Sequence, residues 1–339
     1  MDINTPYIND SKEIELLKST HSGELEHTLM NDFLSKYSFQ KDLYALRGLL
    51  AALLHIDISE ITDIKILNPI EPGNDLTEKE CILDIKLELN RTTIINIEIQ
   101  SRYQDFWPER SITYLCRNFN HLKPGESYNK VKHCIQIGIL NNNLFKPDDP
   151  RYSKEFYSVY RLLNIANHKE YSSKFEIRVL SLNQLENASL EEKNNSNGLY
   201  HWAKLFKAST WEELKMIAQD NPMIDSFVGT VMQLTTDEKV AQACEMRRRY
   251  SNDIATYEEE IATKNAAIAD KDAEITRKAA EIADKAAAIA DMDAKIASMD
   301  TVIAGMDAEI ADKDAEIADK DAEIESLKAL LKANNIPMK

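Results

Sequence analysis

Residues 81–101 read CILDIKLELNRTTIINIEIQS, and apolar and polar side chains alternate along both halves of this stretch. Such alternation is typical of β-strands, in which successive side chains point to opposite faces. Residues 90–92, Asn-Arg-Thr, separate the two halves and predict an antiparallel hairpin with a short loop. In the register that this loop sets, Asp84 lies directly opposite Glu98.

The polar face of the predicted hairpin therefore carries two carboxylates that face each other. Like charges in opposite positions destabilise a sheet unless something neutralises them. A divalent cation would do so, and magnesium prefers hard oxygen ligands. Two plainer interpretations stay open at this point. The polar face meets water, or Lys86, predicted opposite Asn96, bridges Asp84 and Glu98 in a surface salt-bridge cluster.

The chain up to about residue 250 shows a mixed α/β pattern around this hairpin. Apolar residues at three- and four-residue spacing predict helices, and alternating or continuous apolar runs predict strands. The predicted helices cover 24–37, 40–54, 106–122 and a helical region at 199–250. The predicted strands cover 64–67, 81–89, 93–101, 132–140, 156–163 and 175–182. The polar, Asn-rich stretch 186–198 is predicted to be a linker.

The C-terminal region repeats every seven residues. Isoleucine recurs at this spacing from Ile254 to Ile324, and a strict seven-residue apolar repeat predicts a left-handed coiled coil. The other seam position is mostly lysine, although Met292, Met299 and Met306 occupy it in three consecutive repeats. We expect self-association through this region, with dimer and trimer both open. The plainer interpretation is a solvated, partly frayed helix.

The formal net charge is -16, which argues against a simple nucleic-acid binder, because phosphate contacts come from Lys and Arg. Residues 253–339 hold 21 acidic and 11 basic side chains, so most of the acidity belongs to this tail. The region before it is only mildly acidic, and a bound metal ion would add positive charge there. The charge therefore neither supports nor excludes a nuclease.

The remaining composition indicates a reduced, cytoplasmic protein. The four cysteines lie far apart without CxxC spacing, so we expect free thiols and neither a disulfide framework nor a zinc site. The seven histidines show no spacing typical of metal ligands. No apolar run approaches the length of a membrane span, and the first residues are too polar for a secretion signal.

The motif formed by Asp84, Glu98 and Gln100 resembles the D…ExQ core of the Rpn family. These are recombination-promoting nucleases, also described as PD-(D/E)XK nuclease family transposases. Further blocks in the same order extend the resemblance over roughly residues 27–185. These blocks are 31–39, 65–69, Arg110 with Tyr114, 125–128 and 135–145.

The resemblance implies a restriction-endonuclease-like core, a mixed sheet flanked by helices, which hydrolyses DNA phosphodiesters with the help of a divalent metal. By position in the motif, Asp84, Glu98 and the backbone carbonyl of Ile99 would hold Mg²⁺. Gln100 stands where many relatives of the wider superfamily carry lysine, and its amide would orient the attacking water by hydrogen bonding. Asp32 is implied as an acid on a helix that reaches the site or supports its ligands from behind.

Two groups of residues that contain arginine have alternative interpretations. Arg110 and Tyr114 lie one turn apart on a predicted helix and share a face. They contact a DNA phosphate or order the active-site face, or else Tyr114 is a core aromatic that Arg110 covers. The run at 247–249, Arg-Arg-Arg, is either a DNA contact or an ordinary basic helix surface.

These observations predict a DNA endonuclease of low sequence specificity, since no base-reading module is recognisable. Its role would lie in mobile-element recombination or in defence against foreign DNA. The alternative is a catalytically weak or inactive nuclease-like domain that acts as a coiled-coil oligomerising module and binds DNA or protein. We predict a nuclease-like domain at 1–185, a linker and helical segment at 186–252, and a heptad-repeat tail at 253–335.

Overall fold

A computed structural model of the chain describes residues 2–8, 10–70 and 84–334. The chain forms two compact units, Met1–Ile254 and Ala255–Lys339. The helices are α1 (Ser11–Thr20), α2 (Asp32–Lys41), α3 (Leu43–Leu54), α4 (Trp107–Phe119), α5 (Leu190–Asn194), α6 (Leu199–Lys207), α7 (Trp211–Ala218), α8 (Pro222–Thr235) and α9 (Glu238–Ala333). The strands are β1 (Ile64–Ile66), β2 (Ile85–Leu89), β3 (Thr93–Gln100), β4 (His133–Leu140), β5 (Tyr157–Arg161) and β6 (Phe175–Ser181).

The described strands form one mixed sheet in the order β1-β2-β3-β4-β6-β5. The pairs β1–β2, β2–β3 and β5–β6 are antiparallel, whereas β3–β4 and β4–β6 are parallel. Lys86 pairs with Asn96, as the hairpin register predicts. The mixed sheet flanked by helices confirms the predicted fold class. Residues 81–83 of the predicted strand lie outside the described residues.

Helices cover both faces of the sheet. Ile95, Ile97 and Ile99 of β3 point into the main core, which they share with α2, α3, α6 and α8. On the opposite face, Ile94 packs against Leu115 of α4. Helix α4 lies against β4 and β6 on this side of the sheet. On the polar face of the hairpin, Asp84, Asn96 and Glu98 are buried and do not meet water, whereas Lys86 and Glu88 are half-buried.

The first helical layer begins and breaks at different residues from those predicted. The predicted helix at 24–37 begins only at Asp32, after the capping residue Asn31. The break between α2 and α3 falls at Asp42, whose carboxylate accepts hydrogen bonds from the hydroxyls of Ser226 at 2.5 Å and Thr230 at 3.1 Å. These bonds satisfy a buried acid and connect the helix break to α8.

Two further regions differ from the sequence-based expectation. Helix α1 was not predicted, because its apolar residues are few and weakly periodic. The stretch 186–198, predicted as a linker, contains the end of a 3-10 helix (Leu182–Asn187) and the short helix α5. Ser189 and Glu192 form a capping box that fixes the start of α5.

Helix α9 has two different environments. Its first turns bury Val240, Ala243 and Cys244 in the main core. In the second unit, the repeating isoleucines from Ile261 to Ile324 are exposed by 47% to 68%. None of the helices in the described ranges combines the length and apolarity needed to cross a membrane.

Candidate active site

The acids singled out from the sequence lie together at one end of the hairpin. Asp84 immediately precedes β2 and is 6% exposed, and Glu98 in β3 is 2% exposed. Continuing the observed register by one residue pair places Asp84 opposite Glu98. The amide nitrogen of Asn96 donates to the Oδ2 atom of Asp84 at 2.9 Å and to Oε1 of Gln136 at 3.1 Å. Asp84 is thus held by the side chain that lies two residues before Glu98.

Glu98 has far less support for its charge. Within the described residues, neither of its buried carboxylate oxygens accepts a hydrogen bond. The nearest cation is the guanidinium of Arg110 in α4, whose Nη2 atom lies 3.0 Å from Oε1 as an ion pair outside hydrogen-bond geometry. Burial, and next the charge of Asp84, raise the pKa of Glu98 to about 7. Burial also raises the pKa of Asp84, although its hydrogen bond from Asn96 opposes the shift.

A glycine on the neighbouring strand makes room for the aromatic cover of this centre. Gly138 of β4 pairs with Glu98 of β3. A Cβ atom at Gly138 would clash with the indole of Trp107, the first residue of α4. Trp107 is itself buried. The indole therefore packs against the sheet beside Glu98 and keeps water away from this side of the carboxylate.

The backbone supplies a third oxygen. The N–H of Asn141, just after β4, donates to the carbonyl of Gln100 at 2.9 Å. Consecutive carbonyls of a strand point in opposite directions, so the carbonyl of Ile99 is directed to the β2 side. This carbonyl lies one residue after Glu98, on the edge of β3 that faces β2.

These groups fit a divalent cation. Two buried carboxylates and a backbone carbonyl are hard oxygen donors, and the oxygens of Glu98 lack hydrogen-bond donors among the described residues. Within the same ranges, no group of three or more His, Cys, Asp and Glu side chains could hold a metal. A cation here would thus rely on the two carboxylates, the backbone and solvent or substrate oxygens.

Asp32 lies near the centre but is engaged by another residue. Both of its carboxylate oxygens contact the guanidinium of Arg247 in α9, with Nε at 2.7 and 2.8 Å. The negative charge of Asp32 nevertheless contributes to raising the pKa values of Asp84 and Glu98. The structure therefore places Asp32 beside the acids with its charge balanced by Arg247. Arg248 and Arg249 instead form ion pairs with Glu245 on the same helix.

A cleft of about 320 Å³ lies next to the centre. Its wall includes Asp32, Ile99, Gln100, Ser101, Arg247 and Arg248. Gln100 is half-buried there, at the end of the polar face that also carries Glu98. The cleft thus brings together two elements, the end of β3 and the first turns of α9, that the sequence separates by almost 150 residues.

Arg110 and Tyr114 occupy one face of α4, as their spacing predicts. The Arg110 guanidinium lies 5.2 Å from the centre of the Tyr114 ring and also reaches Glu98. The side chain of Arg110 is 39% exposed. This geometry connects the buried carboxylate of Glu98 to a partly exposed cation on the surface of α4.

Sequence reasoning missed three side chains of this centre. Asn96 could have been identified, because it shares the polar strand face with Glu98. Arg247 lies 215 residues from its partner Asp32, and no local pattern predicts that contact. Lys36 in α2 is 2% exposed, whereas a lysine is usually solvent-exposed. Burial lowers the pKa of Lys36 to about 8, against the opposing effects of Asp84 and Asp32.

Comparison with known protein families places most of the chain in one of them. The family model described as PD-(D/E)XK nuclease family transposase matches residues 29–260. This range contains the whole sheet, α2 to α8 and the first turns of α9. No curated protein and no solved structure gives a significant match.

Proposed function

Because the chain belongs to the PD-(D/E)XK nuclease family transposases, we propose that it is a magnesium-dependent endonuclease that hydrolyses DNA phosphodiester bonds. The observation that carries this proposal is the buried pair of Asp84 and Glu98 beside the carbonyl of Ile99. Two facing acids with poorly compensated charge destabilise a fold, and a cation that binds between them removes the cost. In a member of a nuclease family, such a pair would bind the cation that assists phosphodiester hydrolysis.

The reaction requires water to attack phosphorus. A new P–O bond forms to the water oxygen, the bond to the leaving sugar oxygen breaks, the water gives up a proton and the leaving oxygen acquires one. When bound, Mg²⁺ would polarise the scissile phosphate and lower the pKa of a water molecule. The role of Asp84 and Glu98 is to hold the cation, while Asn96 keeps Asp84 oriented. Gln100, at the edge of the cleft, orients the attacking water.

The surrounding residues shape the substrate side of the centre. Trp107 packs beside Glu98 and limits water access, which strengthens electrostatic interactions inside the site. Arg110 is partly exposed, so it can leave Glu98 when a cation arrives and meet a DNA phosphate. Such contacts read the backbone and not the bases. We therefore propose low sequence specificity, in recombination of mobile elements or in defence against foreign DNA.

The heptad region supports self-association. We propose that the exposed isoleucine stripe of α9 packs against the same stripe of another copy as a coiled coil, because a large apolar surface left in water is unfavourable. Met292, Met299 and Met306 extend the stripe where other repeats carry lysine. A second copy would give the assembly a second nuclease centre.

A nuclease-like domain without catalysis is the second candidate. The observation in its favour is the ion pair between Arg110 and Glu98, which supplies part of the compensation that a metal would otherwise provide. In that case the chain would bind DNA or protein as an oligomer, and neither acid would affect any cleavage.

Plasmid nicking separates the two candidates. Supercoiled DNA with Mg²⁺ is incubated with wild-type protein, Asp84→Asn, Glu98→Gln and the matched control Glu88→Gln. Glu88 lies on the same strand face but pairs with Lys132. We expect wild type and the control to nick at similar rates, and each active-site variant to be slower by about a thousandfold, since loss of several kcal/mol of transition-state stabilisation has that effect. Equal residual nicking by all four proteins would refute the nuclease proposal.

A further inference from the structure

Lys36 is a buried ammonium group that the proposed reaction has not yet used. It lies in the middle of α2, where every residue from Phe33 to Gln40 is buried. A lysine normally extends its ammonium to water along its flexible stem, but burial of the whole helix prevents this for Lys36. Keeping a charge in such a place is costly unless an opposite charge is close.

The position of Lys36 on α2 directs it toward the candidate centre. Lys36 follows Asp32 by four residues, so the two side chains share a face of the helix. Asp32 borders the same cleft as Ile99 and Gln100. The negative groups that act on Lys36 are Asp84 first and Asp32 second. Lys36 therefore lies on the side of α2 that faces the acid end of the hairpin.

The three acids of this region differ in whether an arginine already pairs with them. Arg247 contacts both carboxylate oxygens of Asp32, and Arg110 forms an ion pair with Glu98. Within the described residues, the only hydrogen bond to the carboxylate of Asp84 comes from the neutral amide of Asn96. Two cations act on Asp84, Arg110 first and Lys36 second, and Arg110 is already paired with Glu98.

The strand itself offers no cation at this end. Gln100, two residues after Glu98, is neutral, and an amide cannot stabilise developing negative charge as an ammonium does. We propose that Lys36 is a catalytic residue of the nuclease centre, and that its ammonium hydrogen-bonds to the attacking water and the scissile phosphate from α2. This inference rests on the proposed nuclease function. In it, Lys36 supplies charge and hydrogen bonds and keeps its proton throughout the step.

A purely structural lysine makes a different prediction. If Lys36 only offset the negative charge of Asp84 and Asp32, its removal would disturb the acids and weaken metal binding together with activity. In the catalytic role, the acids keep their place without it. Removing a positive charge near two carboxylates then favours a cation, while the chemical step loses its ammonium.

The test uses full-length protein with two neutral replacements, Lys36→Met and Lys36→Gln, and the charge-preserving Lys36→Arg. The control Lys41→Met removes a lysine from the other end of the same helix. For each protein we would measure kcat and KM for plasmid nicking with Mg²⁺, the affinity for Mn²⁺ by calorimetry, and the midpoint of thermal unfolding.

We expect the neutral variants to lose about 100-fold or more in kcat, the effect of removing one preorganised electrostatic group. Their KM should stay within about threefold of wild type, and they should bind Mn²⁺ at least as tightly. Lys36→Arg should retain more activity than Lys36→Met, and Lys41→Met should behave as wild type.

Four results would overturn the inference. If a folded neutral variant keeps the wild-type kcat while Asp84→Asn is inactive, the nuclease function stands and Lys36 has no part in it. If neither neutral variant folds, or if folded neutral variants lose Mn²⁺ affinity in parallel with activity, Lys36 is structural. If wild-type protein itself fails to nick DNA, the nuclease function falls, and the role of Lys36 falls with it.

Discussion

The front unit buries polar side chains, whereas the C-terminal helix leaves apolar side chains exposed to water. In the front unit, Asp84, Asn96 and Glu98 on the polar face of the β2–β3 hairpin are almost fully buried. In the tail, the apolar seam of α9 is exposed along its length, with half or more of most isoleucine side chains open to water. Each region therefore contains groups in an environment that is unfavourable for them in isolation.

The difference shows what each region requires from outside the chain. A bound cation would stabilise buried carboxylates that have too few hydrogen-bond donors. A second apolar surface would stabilise an exposed stripe of isoleucine side chains. A residue pattern shows which side chains share a face. The fold shows whether the polar groups of that face have partners and whether its apolar groups are packed. In both regions the unsatisfied face leads to the proposed function.

The largest effect is expected in the tail. Replacing Met292, Met299 and Met306 together with lysine puts charge at three consecutive seam positions. Burial of each methionine contributes roughly 1 to 2 kcal/mol, so the association constant should fall by about 100-fold or more. Light scattering over a range of concentrations would measure it.

A matched variant distinguishes the effect of placing lysine at the seam from the effect of the added charge alone. Lysine at Ala287, Ala294 and Ala308 adds the same charge on the outer side of the helix, away from the isoleucine stripe. This variant should assemble as wild type does. A wild-type protein that stays monomeric at all concentrations, or an equal effect of both triple variants, would show that the seam has no partner.

The next largest effect concerns the buried acid in metal-free protein. Burial and Asp84 raise the pKa of Glu98 from 4.5 to about 7, so ionised Glu98 opposes folding at pH 8. This penalty is absent below about pH 4.5, where the carboxyl is protonated in both folded and unfolded chains, and it grows as the pH rises to 7. Glu98→Gln should therefore stabilise the metal-free protein by roughly 1 to 3 kcal/mol at pH 8 and by less at pH 5.

Urea unfolding in EDTA at both pH values would measure this gain. Glu88→Gln provides the comparison, because Glu88 already has an ion pair with Lys132 and its loss should bring no gain. Destabilisation by Glu98→Gln at pH 8 would mean that the charge of Glu98 is well compensated, and the contrast with the tail would then weaken.

The sequence predicted a substantial part of this arrangement. The three-residue loop fixed the hairpin register, so the opposition of Asp84 and Glu98 could be derived before the fold was known. Isoleucine at every seventh position predicted the long helix directly. Both are local properties, since each depends on residues within about twenty positions of one another.

The covering of the centre could not be derived in the same way. The burial of Glu98 depends on α4 and on the space that Gly138 leaves for Trp107, and both are tertiary effects. A lysine such as Lys36, between Ser35 and Tyr37, has the appearance of an ordinary surface residue in the sequence. The contact of Asp32 with Arg247 joins distant helices, which only the fold brings together.

The smallest effect is expected at the edge of the polar face. Gln100 is half-buried at the cleft. In the proposed reaction it gives one neutral hydrogen bond to the attacking water, so Gln100→Ala should reduce kcat by about tenfold. Ser101→Ala alters the adjacent cleft residue and should leave kcat within about twofold of wild type. Initial rates of plasmid nicking would measure both. A Gln100→Ala variant as inactive as Asp84→Asn, or fully active, would require another role for this residue.

The most direct test of the central claim is a crystal structure of the full-length protein from crystals soaked in Mn²⁺. Anomalous scattering would locate the metal. A cation held by this centre should give a peak within about 2.0–2.3 Å of oxygens from Asp84 and Glu98, near the carbonyl of Ile99. The same peak should be missing in Glu98→Gln. A wild-type map with no peak at these oxygens, and Arg110 still paired with Glu98, would contradict the claim that the buried acids form a metal-dependent nuclease centre.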